Sequence, residues 1–483
     1  MLPTSGLRLI PALDENERFV LFAQSFTGKL LLALLSAALL CAFRLEFSLP
    51  YSLLAFFLVC APLRAELKLL LAGAAGWIFF ERPAAYYALY DNLINPVFVE
   101  KFLGTGAYSY EFSVVYRAVT AVVLFALLSA LLFFRRNAKV FWLATFLFAV
   151  SVFFLPKTGW AGLILWTSAL IFFKGLVGIF FALDPDEIPK KSGLAGKAVV
   201  AFQLLGHGIS VPLLQSPAQL TDFPHRARCQ IKGVKLLLWG LLLHLGNETL
   251  MQFVFGNSQL PAIRALVPQS LGWVNYIQAG MDAFNLRPAS PLKNWAVLLL
   301  VNWDYLLRTA VITSFYIGII RLSGIYLPRW IYRPYLAVSF NDYFRRCFYF
   351  YSEFLLAVFY APAWKWLRGT RLARPVRIFL ATFFAVGLGG WLFHIARWVN
   401  RILYFEPSYY LGLYLSITPY FFLLGLFTAI SALRNTPRAW RPASLLWVPV
   451  YFVFHSLVMV AFALEKDMGV TQRLAFLASL VGR

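Results

Sequence analysis

Charged side chains are scarce in this chain. Asp, Glu, Lys and Arg make up 13% of its 483 residues, about half of the roughly 25% that a soluble domain carries. The missing polar surface excludes a free-standing soluble protein and implies that lipid covers much of the molecule. Cysteine is scarcer still. The four cysteines, Cys41, Cys60, Cys229 and Cys347, lie far apart without a CxxC pair, which indicates neither a disulfide framework nor a zinc site. The five histidines lack metal-ligand spacing as well, so no metal is expected. No internal repeat is present, and the inverted-repeat signature of many transporters is missing with it. Ionisable residues are sparse within the apolar runs, which counts against a proton- or ion-coupled mechanism. No linker-like or low-complexity stretch divides the chain, so a single membrane domain over residues 1–483 is the simplest organisation.

What is abundant is apolar. Hydrophobic residues reach 61% and aromatic ones 18%, with Phe dominant, as in lipid-facing helices and interfacial belts. A spanning helix needs about 20 mostly apolar residues. The runs predict an all-α polytopic membrane protein of about eleven spans: Lys29–Phe43, Tyr51–Leu63, Glu66–Phe80, Ser113–Phe134, Val140–Leu155, Trp160–Leu183, Lys232–Phe255, Trp295–Ile320, Arg377–Ala396, Leu411–Ala432 and Leu445–Leu464. Cys41 closes an LLC run that faintly suggests a lipoprotein cleavage site. Many apolar runs follow, so Leu30–Phe43 reads as the first membrane helix and not as a removed signal. Two segments, Gly193–Leu214 and Phe344–Trp366, are interrupted by glycine, proline or charge. Broken backbone at membrane depth survives only when buried in protein or lining a wet cavity, so both are expected to be re-entrant or interfacial.

The net charge of +22 would point a soluble chain toward nucleic acid. Here the cations gather in Arg135–Lys139, Pro189–Lys197, Arg226–Lys235, Lys365–Arg377 and Arg434–Arg441, read as short loops between apolar runs. The positive-inside rule and anionic headgroups account for them, and no nucleic acid partner is expected. Those loops are placed in the cytosol, and Glu81–Phe112 and Gly256–Pro291, poor in Lys and Arg, outside. The expected N-terminus is cytosolic.

An ordered series of motifs runs from Gly318 to His394. Gly318, Arg321 and Gly324 are spaced by three and followed by Ile325, Leu327 and Pro328. Arg333-Pro334-Tyr335 comes next, then Tyr343-Phe344-Arg345-Arg346, then Ser352 and Pro362, and finally Gly389-Gly390-Trp391 with His394 at the end of an apolar helix. This order resembles the core signature of the membrane-bound O-acyltransferase family, in a divergent bacterial form close to the branch that acetylates alginate and other envelope polymers or transfers D-alanine to teichoic acid. There are departures. Phe348 stands where those members carry a second histidine, Cys347 where Trp is usual, Leu356-Ala357-Val358 where Arg-Asp-Tyr is usual, and Ser314 where an acid is expected.

The resemblance implies a ring of tilted helices around a central tunnel, with an acyltransferase core over about residues 190–465. It implies acyl transfer, foremost of acetyl, from a cytosolic thioester to a hydroxyl of an envelope polysaccharide or an extracytoplasmic partner. The donor would be acetyl-CoA, another acyl-CoA or an acyl carrier protein thioester, a substrate and not a bound cofactor. Membrane lipids and an esterase-like extracytoplasmic protein are the implied partners, and the inner (plasma) membrane the implied location. His394 would be the catalytic base, since an alcohol attacks a thioester poorly unless a group of near-neutral pKa takes its proton; the alternative is a histidine that pairs helices. Asn341, Asp342, Arg345 and Arg346 either shape a donor entrance by binding its phosphates or form an interfacial cluster of snorkelling arginines with a local acid. Ser352, Glu353 and Trp391 complete the candidate site; Glu353 is also a ready partner for Arg345 or Arg346. His207, His244 and His455 read as helix-packing polar groups, and Asp304 as the i,i+4 partner of Arg308. Three readings stay open: this acyltransferase, one acting on a lipid acceptor, and a non-catalytic or transport protein on the same scaffold.

Overall fold

The computed structural model describes residues 13–44, 49–62, 68, 223–258, 260–286, 289–324, 326, 328–392, 407–433, 447–462 and 470–482. Among these residues the chain is all helical, with no strand. They fall into two compact units. The first comprises described residues of Met1–Leu241 with Ser314–Pro328; the second comprises Leu242–Thr313 and those of Arg329–Arg483.

In the first unit, α1 (Glu17–Gln24) starts at Asn16, whose side chain accepts from the Arg18 and Phe19 N–H groups. Such a cap satisfies donors that a helix start leaves orphaned. The chain then bends by 92° at Ser25. The Ser25 hydroxyl donates to Phe22 O and accepts from the Gly28 N–H, ending one helix and capping the next. α2 (Phe26–Arg44) and α3 (Leu49–Cys60) form an antiparallel pair around Leu32, Ala33, Leu40, Leu54, Ala55 and Leu58. Their outer faces carry exposed Leu31, Leu34, Leu35, Leu53 and Phe56. Water would disfavour each such half-exposed side chain by about 1 kcal/mol relative to burial, whereas lipid would not.

α4 (Phe223–Phe255, 33 residues) and α7 (Pro291–Leu322, 32 residues) are the two long helices. The first unit holds the start of α4 and the end of α7. There a Cβ on Gly233 would lie 2.9 Å from Gly318 O, and one on Gly318 would lie 2.8 Å from a methyl of Leu237. Small residues allow such close backbone approach. The basic stretch Arg226–Lys235, expected as a loop, is helical. Ala227, Cys229, Ile231, Leu236 and Leu237 are buried, while Lys235 pairs with buried Asp14 at 2.5 Å and Arg228 pairs with Glu17. Arg321 is 4% exposed and lies 4.9 Å from the Tyr326 ring. Gly324, at φ +95°, ends α7 in a conformation that glycine adopts without strain.

In the second unit, the stretch expected as an outer loop contains α5 (Pro261–Leu266) and α6 (Tyr276–Phe284). The Tyr276 ring meets Phe476 edge-on at 4.8 Å. Phe476 belongs to α14 (Val470–Ser479), a helix the apolar runs do not predict. α8 (Phe340–Cys347), α9 (Tyr349–Leu355) and α10 (Ala361–Arg368) follow, with a π-helical turn at Leu356–Tyr360 before α10. Pro362 explains that turn: it offers no N–H, and its ring crowds the carbonyl four residues back, so the local winding widens. α11 (Arg374–Phe383) runs into a second π turn, Phe384–Gly389, and then to Leu392. α12 (Pro407–Leu433) and α13 (Trp447–Phe462) complete the unit. A Cβ on Gly425 of α12 would fall 2.7 Å from the Gly387 Cα.

Among the described residues, two stretches are long and apolar enough to cross a membrane, Pro291–Leu322 and Arg374–Leu392; the bent pair α1–α2 makes a third if counted as one span. Nineteen helical residues extend about 28 Å, close to the roughly 30 Å hydrocarbon core. The expected spans Ser113–Phe134, Val140–Leu155 and Trp160–Leu183, all of Glu66–Phe80 but Lys68, and the interrupted segment Gly193–Leu214 lie outside the described residues. The eleven-span topology is therefore carried by the sequence.

Candidate functional site

The motif residues from Arg333 to Trp391 lie in the second unit. Arg333 adopts a left-handed conformation, φ 48°, ahead of a tight 3₁₀ turn at Pro334–Leu336, where an Arg-Pro-Tyr turn is expected. The residue before proline avoids the right-handed helical region, which accounts for the turn starting after it. Ser339 then caps α8: its hydroxyl accepts from the Asp342 N–H at 3.1 Å, and Asp342 Oδ2 accepts from the Val338 N–H at 3.1 Å. This is a capping-box arrangement shifted by one residue.

The four polar residues of α8 divide by role. Asp342 holds Arg346 one turn on, with Arg346 Nε 2.9 and 3.0 Å from the two carboxylate oxygens. Arg346 Nη1 reaches Arg333 O at 3.5 Å, and the Arg346 carbonyl accepts from the Tyr332 N–H at 2.9 Å. Arg345 points elsewhere. Its Nη2 lies 2.6 Å from Glu353 Oε1, and its side chain is 57% exposed against 16% for Glu353. Asn341 is exposed, and its backbone N–H donates to Ser431 Oγ on α12 at 3.2 Å.

Between Cys347 and Tyr349 the helix breaks. Phe348 takes φ −135°, and the Tyr349 N–H donates to Trp330 O at 3.2 Å. The interruption expected in Phe344–Trp366 is present, as one break and one π turn. Ser352 follows, with its hydroxyl oxygen buried and without a hydrogen-bond partner among the described residues. Burial pushes the Cys347 thiol up to about 12 and holds the Tyr343 phenol far above its usual range. Both are neutral at physiological pH, so Cys347 does not offer a ready thiolate nucleophile.

The Gly-Gly-Trp motif packs onto this broken segment. A Cβ on Gly389 would lie 2.5 Å from Phe359, and one on Gly390 would lie 2.8 Å from Tyr351 Oη. Trp391 Nε1 donates to Thr418 Oγ1 on α12 at 3.0 Å. His394, the expected base, lies outside the described residues, two positions beyond Leu392; His207 lies outside them as well. Among the described residues no group of three or more His, Cys, Asp or Glu side chains is arranged to hold a metal ion.

Of the other polar groups, Asp304 Oδ1 accepts from Arg308 Nε at 2.8 Å and from Asn247 Nδ2 at 2.7 Å. Asp304 thus pairs with Arg308 at i,i+4 and also ties α4 to α7 within the second unit. Asn302 Nδ2 donates to Ser456 Oγ at 2.7 Å. His455, beside Ser456, is 2% exposed. Its ring lies 5.9 Å from Phe348, 6.3 Å from Tyr343 and 6.5 Å from Tyr420. Sequence spacing gave no sign of this grouping, because its members come from α8, the helix break, α12 and α13.

Compared with models of protein families, with curated proteins and with solved structures, the chain matches none of them.

Proposed function

We propose that this protein is a multi-pass membrane O-acyltransferase that moves an acyl group, best an acetyl, from a cytosolic thioester to a hydroxyl of an envelope polysaccharide or of an extracytoplasmic partner. The observation that carries the reading is a convergence. Segments roughly forty residues apart in sequence, the arginine-bearing α8 with its broken continuation and the Gly-Gly-Trp turn that precedes His394, pack against one another through glycines with no room for a side chain. In this reading the acceptor hydroxyl oxygen adds to the thioester carbon and the carbon–sulfur bond breaks. His394 takes the hydroxyl proton and returns it to the leaving thiol, so that an ester and a free thiol result. Trp391, fixed by Thr418, stands three positions before the base in sequence. Arg345, whose guanidinium is half exposed and held at one end by Glu353, is the arginine with donors to spare for an anionic donor's phosphates. Asp342 and Arg346 hold the turn at Arg333; Asn341 and Ser352 stand on the same broken helical segment. Acetyl-CoA, another acyl-CoA or an acyl carrier protein thioester fits the role of donor substrate, and the inner membrane with a cytosolic N-terminus fits the charge pattern.

The test is His394→Ala in the full chain. Transfer from acetyl-CoA to envelope glycan in membrane vesicles should fall by about 10² to 10⁴, with membrane insertion and yield unchanged. Near-normal turnover of a well-inserted variant would remove His394 as the base. A lipid acceptor would instead show as label in the organic extract. A scaffold without catalysis would show no transfer in the wild-type chain.

A further inference from the structure

Several buried polar side chains of the second unit donate to one another. Asn294 donates to Ser479, Asn302 donates to Ser456, and Ser258 donates to Glu248. His455, like the hydroxyls of Tyr343 and Ser352, is left unpaired among the described residues. Neither ring nitrogen has a hydrogen-bond partner among the described residues, although the residue is 98% removed from solvent. Its neighbour Ser456 donates to Phe452 O and accepts from Asn302, so α13 is fixed in place by other groups. A buried polar group left unpaired costs folding free energy and calls for an explanation. A histidine kept only to pack a helix would be served as well by Phe.

The surroundings narrow the explanation. Three rings, Tyr343, Phe348 and Tyr420, lie around the imidazole at 5.9–6.5 Å between centroids. No carboxylate is ion-paired with it among the described residues, and no metal-binding group of three includes it. The same stretch of α12 that supplies Tyr420 also holds the Gly-Gly-Trp motif: Thr418 accepts from Trp391, and a Cβ on Gly390 would lie 3.0 Å from Phe421. A neutral imidazole needs a donor at one nitrogen and an acceptor at the other. The two nitrogens point apart, so a single alcohol oxygen cannot serve both. A sugar ring brings several hydroxyls in fixed directions, and its C–H faces pack on aromatic rings.

We propose that His455, walled by Tyr343, Phe348 and Tyr420, forms a buried subsite that hydrogen-bonds a sugar of the acyl acceptor. The acceptor and its sugar rest on the acyltransfer reading; the unpaired imidazole among aromatic rings rests on the geometry. His455 orients the acceptor here, while the proton of the transfer step goes to the base described above.

Two measurements on the full chain in detergent test this. The first is carbethoxylation of His455 by diethyl pyrocarbonate, read by peptide mass spectrometry, with and without a panel of methyl glycosides of glucose, mannose, galactose and N-acetylglucosamine. A path wide enough for a sugar admits the reagent, so His455 should be modified, and at least one glycoside should slow the modification several-fold. An unmodified His455, or one that no glycoside protects, overturns the proposal. The second is His455→Phe with His455→Gln alongside. The Phe variant should melt no lower than the parent, because it removes an unpaired imidazole, while its acceptor KM rises by about tenfold or more, the loss of one good hydrogen bond, at unchanged donor KM. The Gln variant should recover part of that loss. A Phe variant with parental acceptor KM overturns the proposal. If the parent transfers no acyl group, the acyltransfer reading falls by itself, and glycoside protection still decides the subsite.

Discussion

Removing Asp342 tests what the paired arginines are for. Its carboxylate holds Arg346 through two contacts of 2.9 and 3.0 Å and accepts the Val338 N–H at 3.1 Å. The two side chains are 25% and 26% exposed, so the pair is neither a free surface contact nor a sealed core pair. Exposed ion pairs contribute about 0.2–1 kcal/mol, and partial burial with a charge-assisted N–H shared between both carboxylate oxygens raises that. We expect a coupling of about 1 kcal/mol in a double-mutant cycle of Asp342→Ala and Arg346→Ala. Asp342→Ala alone should cost about 1–3 kcal/mol, because it also leaves a helix-start N–H without its acceptor. The assay is thermal or denaturant unfolding of the purified chain in detergent, with donor KM measured on the same samples. Arg346→Ala should lower stability and leave donor KM alone, whereas Arg345→Ala, which loses the half-exposed guanidinium, should raise donor KM with little change in stability. The reverse pattern, with Arg346→Ala raising donor KM at full stability and no coupling to Asp342, would refute this division of labour.

Three further outcomes are expected. Gly233→Ala should be neutral to about 2 kcal/mol destabilising, since about 1 kcal/mol of helix propensity is set against about 1–3 kcal/mol of overpacking on the Gly318 carbonyl. Leu237→Ala should relieve Gly318→Ala, whose clash is with that side chain, but not Gly233→Ala; thermal melts of the single and paired variants show whether it does. Burial raises the Asp14 carboxyl, but the bond and charge of Lys235, aided by Lys232, outweigh it and hold the group below the usual carboxylate range. Its stabilising contribution is therefore complete above the unfolded value of about 3.9 and is lost as pH falls through the depressed folded value. Asp14→Asn should remove that part of the acid dependence, and an unchanged acid melting profile would contradict the pairing. For topology, Ser258 is buried against Glu248 and reports poorly, whereas Gln269 is exposed; Gln269→Cys on a background without the four native cysteines should react with a membrane-impermeant thiol reagent from the outer face, and labelling from the inner face alone would invert the proposed orientation.

The features legible in the sequence are those set by short spacing. Asp342 with Arg346 and Asp304 with Arg308 are four residues apart on helices, and both pair as helical geometry requires. The Pro362 irregularity was legible for the same reason. Arg226–Lys235 was misread because its charge obscured its period: Ala227, Ile231, Val234 and Leu237 recur at helical spacing, and the cations between them find Asp14 and Glu17 far away in sequence. The Glu353 partner of Arg345 lies across a helix break, where spacing no longer fixes direction. His455 shows the limit most plainly. Nothing near it in sequence marks it, and its surroundings come from residues 343, 348 and 420 only once the chain has folded.

The motif series also separates into two kinds of residue. Gly318 permits a close helix crossing, Arg321 is buried on Tyr326, and Gly324 terminates α7 with a left-handed turn. Each has a sufficient structural reason to be what it is, so this part of the series speaks for how the chain packs. On the proposed reading, the part that bears on chemistry begins at Ser339. There a capped helix start directs two adjacent arginines to different partners, and the helix then breaks at Phe348. A histidine at position 348 would bring an imidazole to the neighbourhood where the His455 imidazole now stands, 5.9 Å from the Phe348 ring. On the proposed acyltransferase reading, Phe348 in place of a histidine therefore leaves that neighbourhood with an imidazole, and loss of activity is not its necessary consequence.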